Sequence, residues 1–96
     1  MRFASVRVSG PSMVPAVRDG DWLVVLRGAR IRPGQVVVAC YRSRPDLLVV
    51  KRTVAPRDGG WLLSSDNPFV EGPTGVADVE ARVLLRYRPL PPRRVS

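Results

Sequence analysis

Two positions in this sequence have the chemistry of a proton-transfer pair: Ser12, within Gly10-Pro11-Ser12-Met13-Val14-Pro15, and Lys51, within Leu47-Leu48-Val49-Val50-Lys51-Arg52-Thr53-Val54. Lys51 is the only lysine, and the other fifteen strong bases are all arginine. A position that needed only positive charge would follow that habit. Lysine differs because burial can strip its amine of a proton, whereas guanidinium stays charged at any pH a folded protein meets. An unperturbed lysine holds its proton to about pH 10.4, so a base near neutrality requires a bias of about 3 to 4 kcal/mol against the ammonium, which desolvation can supply. Alternation along an extended run puts Leu47, Val49, Lys51 and Thr53 on one face, so Lys51 has apolar neighbours. Ser12 is the candidate nucleophile. Two prolines stiffen its turn, and its own backbone N–H is the natural first oxyanion donor, since Pro11 has none to give. Each residue also has an ordinary reading: a lysine stem lying on an apolar strand with its ammonium at the rim, and a loop serine between turn-making prolines.

The composition narrows the chemistry further. No histidine is present, which removes Ser/His/Asp and Cys/His machinery and histidine-bearing zinc sites; a hydrolase built from this sequence needs lysine as its base. Cys40 is the sole cysteine and falls in the apolar run Val36 to Tyr41, where a thiol serves as a small apolar side chain rather than a nucleophile. No cofactor or metal site is expected. The net charge of +8 invites a polyanionic partner, but the arginines are scattered and no recognition motif accompanies them, so no specific nucleic-acid binding is expected. The longest apolar stretch is far below the roughly 18 residues of a membrane span, and Met1 to Gly10 lacks the apolar core of a signal peptide. The expectation is a cytoplasmic protein without a transmembrane anchor.

Ninety-six residues suit one small domain with one core. Ten prolines and eight glycines punctuate valine- and leucine-rich runs, which favours short strands and tight turns. Strands are expected over 2–8, 22–26, 35–42, 47–55, 61–64 and 81–88. Between them come turns at Asp19-Gly20, at 30–34 and at 44–46, and a hairpin at Asp58-Gly59-Gly60. A loop over 65–75 leads into a short turn at 76–79. The domain should span 1–89, with 90–96 a Pro/Arg-rich tail.

Four segments in order, Gly10 to Pro15, Asp19-Gly20-Asp21-Trp22-Leu23-Val24-Val25, Val49 to Val54, and Ser65-Asp66-Asn67-Pro68, resemble the motif boxes of type I signal peptidases. The segment 81–89 is similar to that family's last strand, and Ser-Asp-Asn-Pro-Phe with Gly-Val-Ala-Asp-Val resembles the branch that matures nickel-type superoxide dismutase. The resemblance implies an all-β fold, a small folded sheet or partly open β-barrel of the signal peptidase and LexA catalytic-domain type. It implies a serine endopeptidase with Ser12 as nucleophile and Lys51 as general base, supported by Gly10, Met13, Arg52, Asp66 and Asn67. Arg52 and Asp66 would pair beside the site, and Gly20-Asp21 would form a turn that holds the sheet together; simple turn capping is the plainer role for Asp21. The implied partner is a protein substrate, the N-terminal extension of a nickel superoxide dismutase precursor, and the nickel belongs to that substrate.

Two departures from the family pattern stand out. Gly10 occupies the position where many relatives carry a hydroxyl as second oxyanion donor. Pro68-Phe69 follows Asn67 where an arginine and a later lysine-orienting serine are common, leaving Ser64, Ser65 and Thr74 as substitutes among which the sequence does not choose. The rival readings are a general signal-peptidase-like enzyme or a LexA-like domain that cuts its own upstream linker, for which the eleven residues before Ser12 leave little room, and a non-catalytic basic β-barrel that binds nucleic acid or protein.

Overall fold

A computed structural model of the chain describes residues 2–8, 20–70 and 72–87. Gly10, Ser12, Met13 and the 90–96 tail lie outside the described residues. Six strands are present: β1 (Arg2–Arg7), β2 (Trp22–Arg27), β3 (Val36–Tyr41), β4 (Leu48–Arg57), β5 (Gly60–Ser64) and β6 (Val76–Tyr87). Neighbours are antiparallel in the order β1-β2-β6-β3-β4-β5, and β5 pairs back onto β6. Strands β3, β4, β5 and the first part of β6 therefore close a ring, while β1 and β2 extend as a flap from the last part of β6. The result is an all-β, partly open barrel: the turn-rich, valine-rich sequence implies the short strands, and the family resemblance implies the barrel.

Alternation sends opposite faces of the same strands into two cores. Inside the ring, Val37, Ala39, Tyr41 and Ala77 are buried, with Val49 and Leu63 packed against them. On the other face, Val38 and Ala81 meet Val8, Leu23 and Val25 of the flap side. Curvature comes from three register shifts, at Val38/Ala39, Val24/Val25 and Thr53/Ala55. Each leaves one extra residue on one strand, namely Glu80, Leu84 and Val54, and all three are exposed. Such bulges bend a strand and raise its twist, which lets a sheet of six short strands close on itself.

The β4–β5 hairpin turns through Asp58 and Gly59, both at positive φ (50° and 77°). That is the two-residue geometry that Asp-Gly favours. Gly60, expected in the turn, instead opens β5, opposite Arg57. A Cβ at Gly60 would lie 2.5 Å from the Ala77 carbonyl oxygen, so only glycine lets β5 approach β6 this closely. The other correction is larger. Residues 76–79, expected as a short turn, form the first part of β6, paired with both β3 and β5. Asp78 and Glu80 mask the strand in the sequence: Arg42 binds the first, and the second stands outward at the bulge.

At the base of the flap, the Val8 N–H donates to the Asp21 carbonyl and the Gly20 N–H to the Val8 carbonyl. The β1–β2 ladder thus extends to the two ends of the 9–19 segment, and Gly20 adopts φ 86°, which favours glycine.

Candidate active site

Lys51 lies in the middle of β4, opposite Val37 of β3, on the face that looks into the ring. It is 6% exposed, and burial holds its amine below the ordinary lysine range. Its Nζ hydrogen-bonds Ser65 Oγ, just past the end of β5. Of the three hydroxyls the sequence offered, Ser65 is the one in contact with the amine. Ser64 pairs with Arg52 in the ladder, and the Thr74 carbonyl accepts from the Ser43 hydroxyl at 3.5 Å.

The next rung is ionic. Arg52 Nε donates to Asp66 Oδ1 at 2.9 Å and its Nη2 to Oδ2 at 2.7 Å, the fork-on-carboxylate geometry that fixes both planes. Arg52 Nη1 also donates to the Gly34 carbonyl at 2.9 Å. The hydrogen bonds to Asp66 raise the Arg52 pKa, and the same bonds hold the Asp66 carboxyl below the usual carboxylate range. Consecutive residues of β4, Lys51 and Arg52, are thus tied to consecutive residues after β5, Ser65 and Asp66. Beneath them, buried Thr53 donates from Oγ1 to the Arg32 carbonyl at 2.6 Å and accepts from the Gln35 N–H at 3.0 Å, locking the entry to β3.

Two cavities meet at Lys51. One, of about 490 Å³, is lined by Tyr41, Leu63, Ser65, Asn67 and Thr74. The other, of about 360 Å³, is more apolar and runs past Val6, Val8, Val38, Leu47 and Leu48. Lys51, Gly72 and Pro73 border both. Asn67 shapes the loop at the rim of the first cavity, accepting from the Phe69 N–H through its side chain and from the Val70 N–H through its carbonyl. Sequence reasoning missed Tyr41 and the Gly72-Pro73 border, because apart from the strand and loop patterns they fall in, no local signal marks them as cavity walls.

The remaining candidates lie elsewhere. Asp21 is 1% exposed, with its carboxylate 3.6 Å from Arg86 Nη1, at the base of the flap rather than beside Lys51. Cys40 is half-buried, and desolvation, reinforced by Glu80, Asp46 and Asp78, raises its thiol pKa, which disfavours the thiolate. Among the described residues, no three His, Cys, Asp or Glu side chains converge, and no helix is long and apolar enough to cross a membrane.

Residues 2–83 match the family described as Peptidase S24-like, a span that includes every strand except the end of β6. The curated proteins contain no significant match to the chain.

Proposed function

The chain belongs to the Peptidase S24-like family, serine peptidases of the signal peptidase and LexA type, and from that premise we propose that Ser12 and Lys51 are its catalytic dyad. The carrying observation is the state of Lys51: a buried amine with a lowered pKa, hydrogen-bonded by Ser65, at the junction of two cavities. Supporting it, Val8 borders the second of those cavities together with Lys51. Ser12 is four residues further along the sequence, and four residues of extended chain reach at most about 13–14 Å.

In this mechanism the neutral Lys51 amine takes the Ser12 hydroxyl proton as Oγ attacks the scissile carbonyl. The Ser12 backbone N–H donates to the resulting oxyanion. The Lys51 ammonium then gives its proton to the departing amine, and the acyl-serine forms. Water, deprotonated by the same amine, attacks the acyl carbonyl; the ammonium returns that proton to the departing Ser12 Oγ, and the acid is released. Ser65 holds Nζ so that its lone pair is free for Ser12, and the Arg52–Asp66 rung keeps Ser65 in place.

The substrate we assign is the N-terminal extension of a nickel superoxide dismutase precursor, on the resemblance of Ser65-Asp66-Asn67-Pro68-Phe69 and Gly75-Val76-Ala77-Asp78-Val79 to the corresponding branch. Mass spectrometry of that precursor after incubation with the wild-type protein should show one N-terminal cut. Ser12→Ala and Lys51→Arg, both folded, should show none. Cutting by Lys51→Arg near the wild-type rate would remove the general base from the mechanism. An uncut precursor alongside Ser12-dependent cutting of other peptides would remove only the substrate assignment.

A further inference from the structure

The turn that follows Asp66 carries a side chain that the fold does not use. Phe69 is 93% exposed, the most exposed large apolar residue among the described ones, and it belongs to neither core. Turns favour glycine, proline, asparagine, aspartate and serine, so local structure gives no reason for an aromatic ring at this point. The backbone beneath the ring is nonetheless well held. The Asn67 side chain accepts from the Phe69 N–H at 3.0 Å, the Asn67 carbonyl accepts from the Val70 N–H at 3.4 Å, and Pro68 restricts φ between them. Immediately upstream, Ser65 and Asp66 are tied to Lys51 and Arg52 of β4. A side chain fixed at its root and bare at its tip suits contact with something outside the chain, because little backbone ordering remains to be done on binding.

Its place selects the partner. Asn67, Pro68 and Val70, the other three residues of the turn, line the cavity of about 490 Å³ that reaches Lys51. Buried Tyr41 and Lys51 lie at the floor of that cavity, and exposed Pro68, Gly72 and Thr74 lie at its rim. A polypeptide cut at Lys51 must leave on two sides, and two cavities border the amine. The part that follows the first cavity passes the Asn67–Val70 turn. What Phe69 offers there is uncharged apolar area, which gains by covering an apolar side chain. A cationic side chain could also meet the ring, but a chain of net charge +8 repels it.

We infer that Phe69 is a specificity-determining residue that covers an apolar side chain of the substrate polypeptide crossing the first cavity, a role that rests on the Ser12/Lys51 reading and adds the kind of residue its substrate carries.

The test begins with a peptide that the wild-type protein cuts, selected from a random-sequence mixture and remade with leucine or asparagine at each position flanking the cut. At one position the wild type should prefer leucine by about tenfold in kcat/KM, the size of discrimination a single apolar contact supports. Phe69→Asn should lose that preference, keep those at the other positions and melt at the wild-type temperature. Phe69→Leu should retain most of it. The two proteins and two peptides form a cycle whose coupling isolates the contact. An unchanged leucine preference in Phe69→Asn overturns the inference alone. So does a Phe69→Asn protein that melts early and cuts every peptide equally poorly, since the ring would then support the fold. Cutting that survives Ser12→Ala, or a mixture in which nothing is cut, removes the dyad and the role of Phe69 with it.

Discussion

Arg52 and Arg42 use their guanidinium groups alike at two seams of the ring, but only the Arg52 seam adjoins a buried amine. Each donates Nε and Nη2 to one aspartate, Asp66 or Asp78, and Nη1 to a backbone carbonyl, of Gly34 or Asp58. The Arg42 pair is the more open, with side chains 44% and 55% exposed, against 36% and 20% for Arg52 and Asp66. Arg42 joins the end of β3 to β6 and the β4–β5 turn, beside the Gly60 close approach. Arg52 joins β4 to the segment that carries Ser65. One device therefore closes the barrel, and its twin lies beside the Lys51–Ser65 hydrogen bond. A change at the first seam should cost stability, and a change at the second should cost activity.

The largest effect that could break this division is at Lys51. If Lys51 and Ser12 form the proposed dyad, Lys51→Met should lower kcat by about a thousandfold or more, because base and nucleophile would act as a unit. Its effect on stability runs the other way. Burial lowers the folded-state pKa of Lys51 below the 10.5 of the unfolded chain, so the penalty for burying the ammonium is fully present below the folded pKa. Wild-type stability then rises with pH between the folded pKa and 10.5, while that of Lys51→Met does not. Lys51→Met should be at least as stable as wild type at neutral pH, the gap closing as the medium becomes alkaline. Wild-type activity should climb with pH to a plateau whose midpoint falls below the ordinary lysine range. Denaturant melts and a pH–rate profile decide the matter; a strongly destabilised Lys51→Met would mean that Lys51 is a structural residue.

What the sequence made legible, and what it hid, follows the same division. Lys51 stood out because it is chemically unlike every other base in the chain, and its face was fixed by strand alternation alone. Strands β1 to β4 followed from local apolar runs between prolines and glycines. Ser65 was one of three equivalent hydroxyls, and choosing it needs the β4–β5 register, which the bulge at Val54 shifts by one residue. The first part of β6 was hidden for a related reason. Asp78 and Glu80 make it locally polar, and its strand character comes from pairing with β3 and β5, contacts distant in sequence. Nothing in Asp58-Gly59-Gly60 distinguishes the glycine that turns from the glycine that permits contact. Ring closure is a tertiary demand, and it overrode the local pattern at each of these positions.

The second test works at the Arg42 seam. Gly60→Ala places a methyl against backbone, 2.5 Å from the Ala77 oxygen and 2.7 Å from Val76 Cγ1, and backbone cannot rotate away. A loss of about 1 to 3 kcal/mol is expected, a fall in melting temperature of roughly 4–8 °C per kcal/mol for a domain of this size. Molecules still folded at low temperature should keep the wild-type kcat, since the seam lies away from Lys51. A Gly60→Ala protein that melts normally but cuts slowly would reverse the assignment of the two seams.

The smallest effect separates the twins directly. Asp66→Asn keeps shape but halves the fork's grip on Arg52, and it should lower kcat about tenfold by loosening Ser65, with a stability loss of about 1 kcal/mol for a pair this accessible. Asp78→Asn should leave kcat unchanged. The acid limb supplies the control. Arg52 holds the folded-state pKa of Asp66 below its unfolded value of 3.8, so the stability it contributes is present above 3.8 and lost as pH falls through the folded value. The gap between wild type and Asp66→Asn should therefore be constant at neutral pH and shrink in acid, and Lys51→Met should not share that shrinkage. Equal kcat losses in Asp66→Asn and Asp78→Asn would show that the two seams act only by holding the barrel together, with no special claim on Lys51.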